Sequence, residues 1–259
     1  MKLLRLGNAG KEKPAIIDKD GNYRDLSSIV NDFNPETLNF NTIEKIKNTD
    51  ISNLPKLDSN LRIGACVSKP SKFIGIGLNF KDHAEEQNLP IPKEPIIFSK
   101  FTSCITGPND PIIVPKGSNH TDWEVELGFV IGKKATNVSI DKALDHVLGF
   151  FLVNDLSERE FQKNKGLTWD KGKGFDTFGP IGPHIVTKDE LPDFQKLNMF
   201  LDVDGKRMQT GNTGKMIFDI KTLVSYMSSC MTLHPGDICC TGTPPGVGEN
   251  MSPPHFLKG

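Results

Sequence analysis

From Arg62 onward the sequence alternates short apolar runs with turn-forming residues, a pattern that favours many short strands over long helices. The chain has 24 glycines and 18 prolines, which argues against a helix bundle. Asp204-Gly205 is a typical hairpin turn between two such runs. The predicted strands are RIGACV, KFIGIGL, PIIFSKF, WEVELGFVIG, VLGFFLV, HIVT and LNMFLDV.

Helical patterns are few, and they are inserted between the strands. They comprise KDHAEEQ, SIDKALDHV, SEREFQKN and DIKTLVSYMSSC. This mixture predicts an α+β, mainly β fold. Residues 1–60 are more polar, with short strands in KLLRLG and PAIID and a helix from Pro35 to about Asn48. We therefore expect a small N-terminal α+β domain over residues 1–60 and a larger domain over residues 61–259.

The charge balance argues against binding to nucleic acid or an anionic membrane, and the short apolar segments argue against a membrane-spanning segment. Lys and Arg number 31 and Asp and Glu number 32, so there is no basic excess for nucleic acid or an anionic membrane. The longest apolar stretch, Val147 to Val153, is too short to span a bilayer. The five cysteines are odd in number and form no C-x-x-C pair, so we expect a reducing, cytoplasmic location.

The segment TDWEVELGFVIG places two carboxylates on one face of a predicted strand. Because strand side chains alternate, Glu124 and Glu126 share a face, and Trp123, Val125 and Leu127 lie on the other. Repulsion between two buried carboxylates would raise their pKa values unless a cation lies between them. The pattern fits either a divalent metal site or a strand with a solvent-facing acidic side.

A third carboxylate follows the apolar run VLGFFLV. Asp155 stands where this strand ends and a polar helix begins. It could join Glu124 and Glu126, or it could cap the helix with Glu158 completing a capping box. Three carboxylates would favour Mg²⁺, Mn²⁺ or Ca²⁺ over Zn²⁺ or Cu²⁺ and would leave coordination positions open.

Three further segments carry side chains suited to catalysis. His83 and Glu86 are three residues apart on a short predicted helix, where the carboxylate can orient the imidazole as a general base. Lys173 lies in the glycine-rich segment GLTWDKGKGFDTFGPIGP, and Thr243 lies in HPGDICCTGTPPGVG, a loop able to bind anions through backbone N–H groups. A solvated helix and ordinary surface loops are the alternatives.

Taken in order, these segments resemble the fumarylacetoacetate hydrolase family. The resemblance covers about Arg62 to Gly248. Within the family, the sequences of the segments NDLSEREFQ and DTFGPIGP are most similar to ureidoglycolate lyase-like members and to hydrolases of 2,4-diketo-3-deoxy sugar acids. The motifs that carry the resemblance are GLNFKDHAEE, IIFSKFTSCITGP, DWEVELGFVIGK, NDLSEREFQ, KGFDTFGPIGP, MIFDI and GDICCTGTPPGVG.

The resemblance implies a mixed β-sandwich roll, usually dimeric, with a small N-terminal domain before it. Family members usually continue for another strand or two, so either C-terminal strands of this domain are missing from the sequence or the fold closes differently here. The His–Glu pair is implied to lie in a lid that orders over substrate, so we expect an outward or mobile segment without ligand. The implied residues are Glu124, Glu126 and Asp155 for the metal, His83, Glu86 and Lys173 for catalysis, and Arg159, Gln162 and Thr243 for substrate.

The implied activity is hydrolysis of a C–C bond in a small 2-oxo acid, of the acylpyruvate or 2,4-diketo acid type. The implied cofactor is Mg²⁺ or Mn²⁺, with Ca²⁺ as a non-native occupant, and the implied assembly is a homodimer. One alternative is a lyase or decarboxylase that uses the same metal, such as a ureidoglycolate lyase or an oxaloacetate decarboxylase. Another is a non-catalytic metal-binding protein. The sequence does not identify the substrate.

Overall fold

Over residues 1–166 and 168–258, the computed structural model has fourteen strands and five α-helices. Leu167 of the predicted glycine-rich segment and Gly259, where the predicted larger domain ends, lie outside the described residues. The strands are β1 (Lys2–Leu6), β2 (Lys13–Ile17), β3 (Tyr23–Asp25), β4 (Phe73–Gly77), β5 (Ile96–Lys100), β6 (Ile105–Thr106), β7 (Thr121–Asp122), β8 (Val125–Ile131), β9 (Val147–Asn154), β10 (Ser157–Glu158), β11 (Gly179–Thr187), β12 (Asn198–Val203), β13 (Lys206–Asn212) and β14 (Ile238–Cys240).

The helices are short, and most of them connect strands. The α-helices are α1 (Phe40–Lys47), α2 (Lys81–Glu86), α3 (Arg159–Lys163), α4 (Asp170–Lys173) and α5 (Ile220–Cys230). Single-turn or slightly longer 3₁₀ segments cover Ile51–Asn53, Thr102–Cys104, Ile140–His146, Lys188–Glu190, Phe194–Lys196, Thr213–Lys215 and Gly248–Asn250. Among the described residues, no helix is both long and apolar enough to cross a membrane.

One large mixed sheet organises the molecule. Its strand order is β3-β2-β1-β11-β9-β8-β14-β4-β5, and β6 also pairs with β11. The neighbours are antiparallel except for β14 with β4 and β6 with β11, which are parallel. Strands β12 and β13 form a separate hairpin whose turn is Asp204-Gly205, both with positive φ, as the sequence predicts. The predicted mixed, mainly β fold is confirmed.

Two apolar layers cover the central strands. Val125, Leu127 and Phe129 of β8 pack in the layer that also contains the buried face of α5. Val130 belongs to the opposite layer, with buried residues of β9 and β11. The predicted alternation along β8 therefore holds, and it turns Glu124 and Glu126 away from the α5 layer.

The N-terminal segment joins the same large sheet, because β1 pairs with β11. A domain boundary near residue 60 stays a prediction.

Two local predictions are wrong: RIGACV forms only an isolated bridge at Ile63, and the first helix begins at Phe40 rather than at Pro35. Asn39 caps that helix by accepting a hydrogen bond from the Thr42 N–H, which gives the helix its later start.

Candidate active site

The sequence-predicted side chains line one small cavity of about 210 Å³. It lies where the ends of β4 and β8 meet helices α2, α3 and α4. Seven of the nine predicted site residues line this cavity, whereas Glu86 and Asp155 do not. The seven are His83, Glu124, Glu126, Arg159, Gln162, Lys173 and Thr243.

The carboxylate at the start of β8 is held between two cationic side chains. Glu124 Oε2 accepts a hydrogen bond from Lys173 Nζ at 2.8 Å, and its Oε1 accepts one from Arg159 Nη1 at 2.7 Å. Burial raises the pKa of Glu124, but the charges of Lys173 and Arg159 outweigh it and leave the pKa well below its usual range. Glu124 is therefore anionic at neutral pH.

Asp155 is fully buried and lies between two ammonium groups. Its Oδ2 accepts a hydrogen bond from Lys173 Nζ at 2.7 Å, and its Oδ1 lies 2.6 Å from Lys100 Nζ. Lys100 Nζ also donates to the Lys173 carbonyl at 2.5 Å. Asp155 does not cap the helix that follows, because Glu158 accepts the hydrogen bond from the Phe161 N–H.

Glu126 differs from the other two predicted metal ligands in having no cationic partner among the described residues. It is 1% exposed, and Gly242 N–H donates to its Oε2 at 2.6 Å. None of the described basic side chains forms an ion pair with it. Burial raises its pKa well above the ordinary value, and the nearby Asp155 and Glu124 carboxylates raise it further. A divalent cation here would supply the missing positive charge.

The three predicted metal ligands therefore share one charged cluster, although they are not equally close. Glu124 and Asp155 each place an oxygen within 2.8 Å of the Lys173 ammonium, which lies between them. Glu126, Asp155 and Cys240 form a potential ligand group whose ligand atoms all lie within 4.8 Å of one another. The buried oxygen donors, and a Glu126 carboxyl that has no cationic partner among the described residues, fit a divalent cation.

Arg159 is anchored by protein carboxylates. Asp122 Oδ2 accepts from its Nε at 2.8 Å, Glu124 accepts from Nη1, and Nη1 also donates to Gln162 Oε1 at 3.0 Å. Burial lowers the pKa of Arg159, but the charges of Glu124 and Asp122 outweigh it and hold the pKa above its usual value. In this arrangement Arg159 fixes Glu124 and Gln162, whereas its Nη2 forms a 2.7 Å ion pair with Asp122 but no hydrogen bond with the described residues.

His83 and Glu86 form the predicted pair on α2. His83 Nδ1 lies 2.9 Å from Glu86 Oε2, and Gln87 Nε2 lies 2.9 Å from His83 Nε2. If Nδ1 carries the proton and donates a hydrogen bond to Glu86, Nε2 is the acceptor and takes a hydrogen bond from Gln87 Nε2. Burial raises the pKa of Glu86, but hydrogen bonds from His83 and Asn250 outweigh it and lower the pKa.

Helix α2 lies over the cavity. His83 is 5% exposed, and Ala84 is fully buried. The segment is tied down through Glu86, which accepts hydrogen bonds from Gly246 N–H and Asn250 Nδ2. These contacts hold the helix inward in this structure. The outward or mobile position expected for the segment without ligand stays a prediction.

The loop after β14 closes the site from the other side. Gly242 has φ +95°, and a Cβ there would lie 2.8 Å from Asn79 Cβ, so this position requires glycine. Its N–H is thereby free to reach Glu126. Thr243 donates to the Val125 carbonyl at 2.9 Å and accepts from Gln209 Nε2 at 2.7 Å. The loop therefore holds the start of β8 as well as lining the cavity.

Sequence reasoning missed four residues of this cluster: Lys100, Asp122, Gln209 and Cys240. Lys100 and Asp122 had a usable signal, because each is a charged residue inside or beside an apolar strand and must find a partner if buried. Gln209 and Cys240 had no such signal. They reach the site because the hairpin and β14 pack against β8.

Replacing Lys100 with methionine should destabilise the protein by about 3 kcal/mol, because a buried carboxylate and the Lys173 carbonyl each lose a partner. Asp155 keeps Lys173 as its second cation, which limits the loss. Urea unfolding measures the effect, and the exposed Lys93→Met provides the matched control, expected within about 0.5 kcal/mol of wild type. An unchanged free energy of unfolding for K100M would contradict the assigned ion pair.

Known proteins resemble this chain along most of its length. The family model described as fumarylacetoacetate (FAA) hydrolase C-terminal matches residues 72–259. A relative from Burkholderia lata, named as a hydrolase with no substrate stated, is 56% identical over 259 residues, covering 100% of this chain and 92% of that protein.

Two solved structures add chemical detail. A 5-carboxymethyl-2-hydroxymuconate delta-isomerase from Mycobacterium smegmatis has a TM-score of 0.78 and 31% identity, covering 96% of this chain and 90% of that one. A maleylpyruvate hydrolase from Sphingobium sp. SYK-6, in complex with manganese(II) ion and pyruvate, has a TM-score of 0.80 and 26% identity, covering 96% and 90%. The likeness therefore extends beyond the motifs to the whole arrangement of strands.

Proposed function

Because this chain belongs to the fumarylacetoacetate hydrolase family and is an enzyme of that family, we propose that it hydrolyses a C–C bond in a small acylpyruvate-type 2-oxo acid. The observation that carries the proposal is the cluster of buried carboxylates beside a His–Glu pair on one cavity. A non-catalytic metal-binding protein would need the carboxylates but not His83, Glu86 and Lys173.

A divalent cation is supported as the cofactor by the manganese complex of maleylpyruvate hydrolase and by the acidic cluster of this chain. We propose Mg²⁺ or Mn²⁺, held by Glu126 and Asp155 with Glu124 as third ligand. When bound, such a cation acts as a Lewis acid on the 2-oxo acid group and stabilises the enolate charge left by cleavage. Lys173 would then keep the excess anionic charge of the cluster balanced.

In the proposed reaction, a water molecule replaces Gln87 as the partner of His83 Nε2, and His83 removes a proton from this water. Glu86 holds the imidazole in the required tautomer. The resulting hydroxide adds to the carbonyl carbon distal to the 2-oxo acid group, and the C–C bond to the methylene carbon breaks. The products are a carboxylic acid and the enolate of pyruvate, whose methylene carbon takes up one proton to balance the proton that His83 removed from water. Lys173 and Gln162 stabilise the developing negative charge, and Thr243 and Arg159 help to position the substrate.

The test is a substrate panel assayed with purified protein after chelation and after addition of Mg²⁺ or Mn²⁺. The panel contains acylpyruvates, oxaloacetate, ureidoglycolate and 2,4-diketo-3-deoxy sugar acids, and pyruvate or glyoxylate release is followed. We expect metal-dependent pyruvate release from an acylpyruvate. Incorporation of one ¹⁸O from labelled water into the carboxylic acid product would identify water as the nucleophile.

Other outcomes would point to the same metal site but another reaction. Oxaloacetate or ureidoglycolate turnover without hydrolysis of acylpyruvates would favour a decarboxylase or lyase. Double-bond migration without ¹⁸O incorporation would favour an isomerase, as the Mycobacterium smegmatis neighbour is named. Any of these results would replace the hydrolase proposal. The homodimer implied by the family resemblance stays a prediction, which light scattering can test.

A further inference from the structure

We propose that Cys240 gives the carboxylate site a second binding mode, in which thiophilic divalent cations such as Zn²⁺, Cd²⁺ or Co²⁺ are held by Cys240, Glu126 and Asp155. This inference rests on the proposed metal site and deepens it. Mg²⁺ and Mn²⁺ prefer oxygen ligands, so they would not use the thiol. The two classes of cation would share two carboxylates and would therefore exclude each other.

The strand β14 directs the thiol toward the carboxylates. Cys239 and Cys240 are consecutive, so their side chains leave the sheet on opposite faces. Cys239 Sγ lies 3.9 Å from Met227 Sδ of α5, on the face away from the site. Cys240 pairs with Gly128 of β8, and its Sγ lies within 4.8 Å of ligand oxygens of both Glu126 and Asp155.

Two buried groups of this trio have no charged partner that would compete with a cation. The Cys240 thiol is fully buried, and none of the described residues forms a hydrogen bond with its sulfur. Glu126 is 1% exposed and accepts a hydrogen bond from the neutral Gly242 N–H, and the described Lys, Arg and His side chains form no ion pair with it. Because the ligand atoms of both groups lie within 4.8 Å of one another, a cation there would gain one sulfur ligand and one carboxylate that no other cation holds.

The distances allow coordination after a small adjustment. Zn–S bonds are about 2.3 Å and Zn–O bonds about 2.0–2.2 Å, so tetrahedral ligand pairs are about 3.3–3.7 Å apart. Pairs within 4.8 Å therefore need to close by about 1.5 Å at most. As the cation binds, the S–H proton of Cys240 and any proton held by Glu126 leave to solvent, and no electron is transferred. Asp155 is shared with the ammonium groups of Lys100 and Lys173.

Cobalt provides a direct readout, because thiolate ligation produces a near-ultraviolet sulfur-to-cobalt charge-transfer absorption. Metal-free wild type, C240S, C240A and the control C239S are titrated with Co²⁺ under reducing conditions, and bound cobalt is measured separately by equilibrium dialysis. We expect the absorption in wild type and C239S and its loss in both Cys240 variants. Zn²⁺ affinity should fall about 100-fold or more in C240S, whereas Mn²⁺ affinity should change less than about 3-fold.

The outcomes separate this inference from the proposed function. Wild type that binds Co²⁺ and Mn²⁺ without the charge-transfer absorption overturns the thiol ligand and leaves the oxygen site intact. Wild type that binds neither cation overturns both. Persistence of the absorption in C240S assigns the sulfur to another cysteine and also overturns the proposal. C240A is used if C240S does not fold.

Discussion

The His83→Ala enzyme should turn over its best hydrolytic substrate about 10²–10⁴-fold more slowly than wild type, the usual contribution of a general base. Its Mn²⁺ affinity should be nearly unchanged, because His83 pairs with Glu86 and Gln87 and contacts none of the proposed ligands through a hydrogen bond. Steady-state kinetics at saturating metal measures the first effect, and equilibrium dialysis measures the second.

The exposed His234→Ala is the matched control and should retain full turnover. Glu86→Gln supplies a graded comparison, since it removes the charge that orients the imidazole while keeping a hydrogen-bonding group. It should lose less activity than His83→Ala. Near wild-type turnover in the His83 variant would rule out water activation by this residue and would direct attention to a decarboxylase or lyase reaction.

Replacing Glu124 with glutamine should abolish metal binding and turnover together. Residues that only hydrogen-bond to a metal ligand typically contribute about 10–100-fold to metal affinity. Loss of an anionic ligand itself should therefore weaken Mn²⁺ binding by at least about 100-fold. The variant is expected to fold, because Arg159 keeps Asp122 and Lys173 keeps Asp155 as partners. Isothermal titration with Mn²⁺ and activity at several metal concentrations provide the measurements.

Glu36→Gln, on the exposed surface, controls for the loss of one negative charge. A Glu124→Gln enzyme that binds Mn²⁺ like wild type would remove Glu124 from the ligand set. In that case Glu126 and Asp155 would hold the cation, and Glu124 would serve to anchor Lys173 and Arg159. Partial rescue of turnover at high metal concentration would instead support its role as a ligand.

Local patterns predicted a large part of this molecule. The alternation in β8 places Glu124 and Glu126 on the same side, because neighbouring strand side chains point to opposite faces. One helical turn brings His83 and Glu86 into contact, because residues three apart share a helix face. Asp204-Gly205 makes its hairpin because both residues tolerate positive φ. Each of these features is decided within a few residues of the chain.

Sequence patterns failed where a competing local contact or a distant partner decided the outcome. Asp155 had the sequence context of a helix cap, yet Glu158 caps the helix and Asp155 binds Lys173 instead. The segment at Ile63 has the composition of a strand but makes only one bridge, with Leu6. In both places two structures were locally acceptable, and packing selected one.

The amino-acid sequence by itself determined the mainly β fold, the two carboxylates of β8 and the His83–Glu86 pair. Only the tertiary structure decided which charges meet: Lys100 reaches the Lys173 carbonyl across 73 residues, and Cys240 reaches Glu126 because β14 lies between β8 and β4. The physical reason is that buried charges must find partners from whichever strands the sheet order makes adjacent, and that order is not encoded in local spacing.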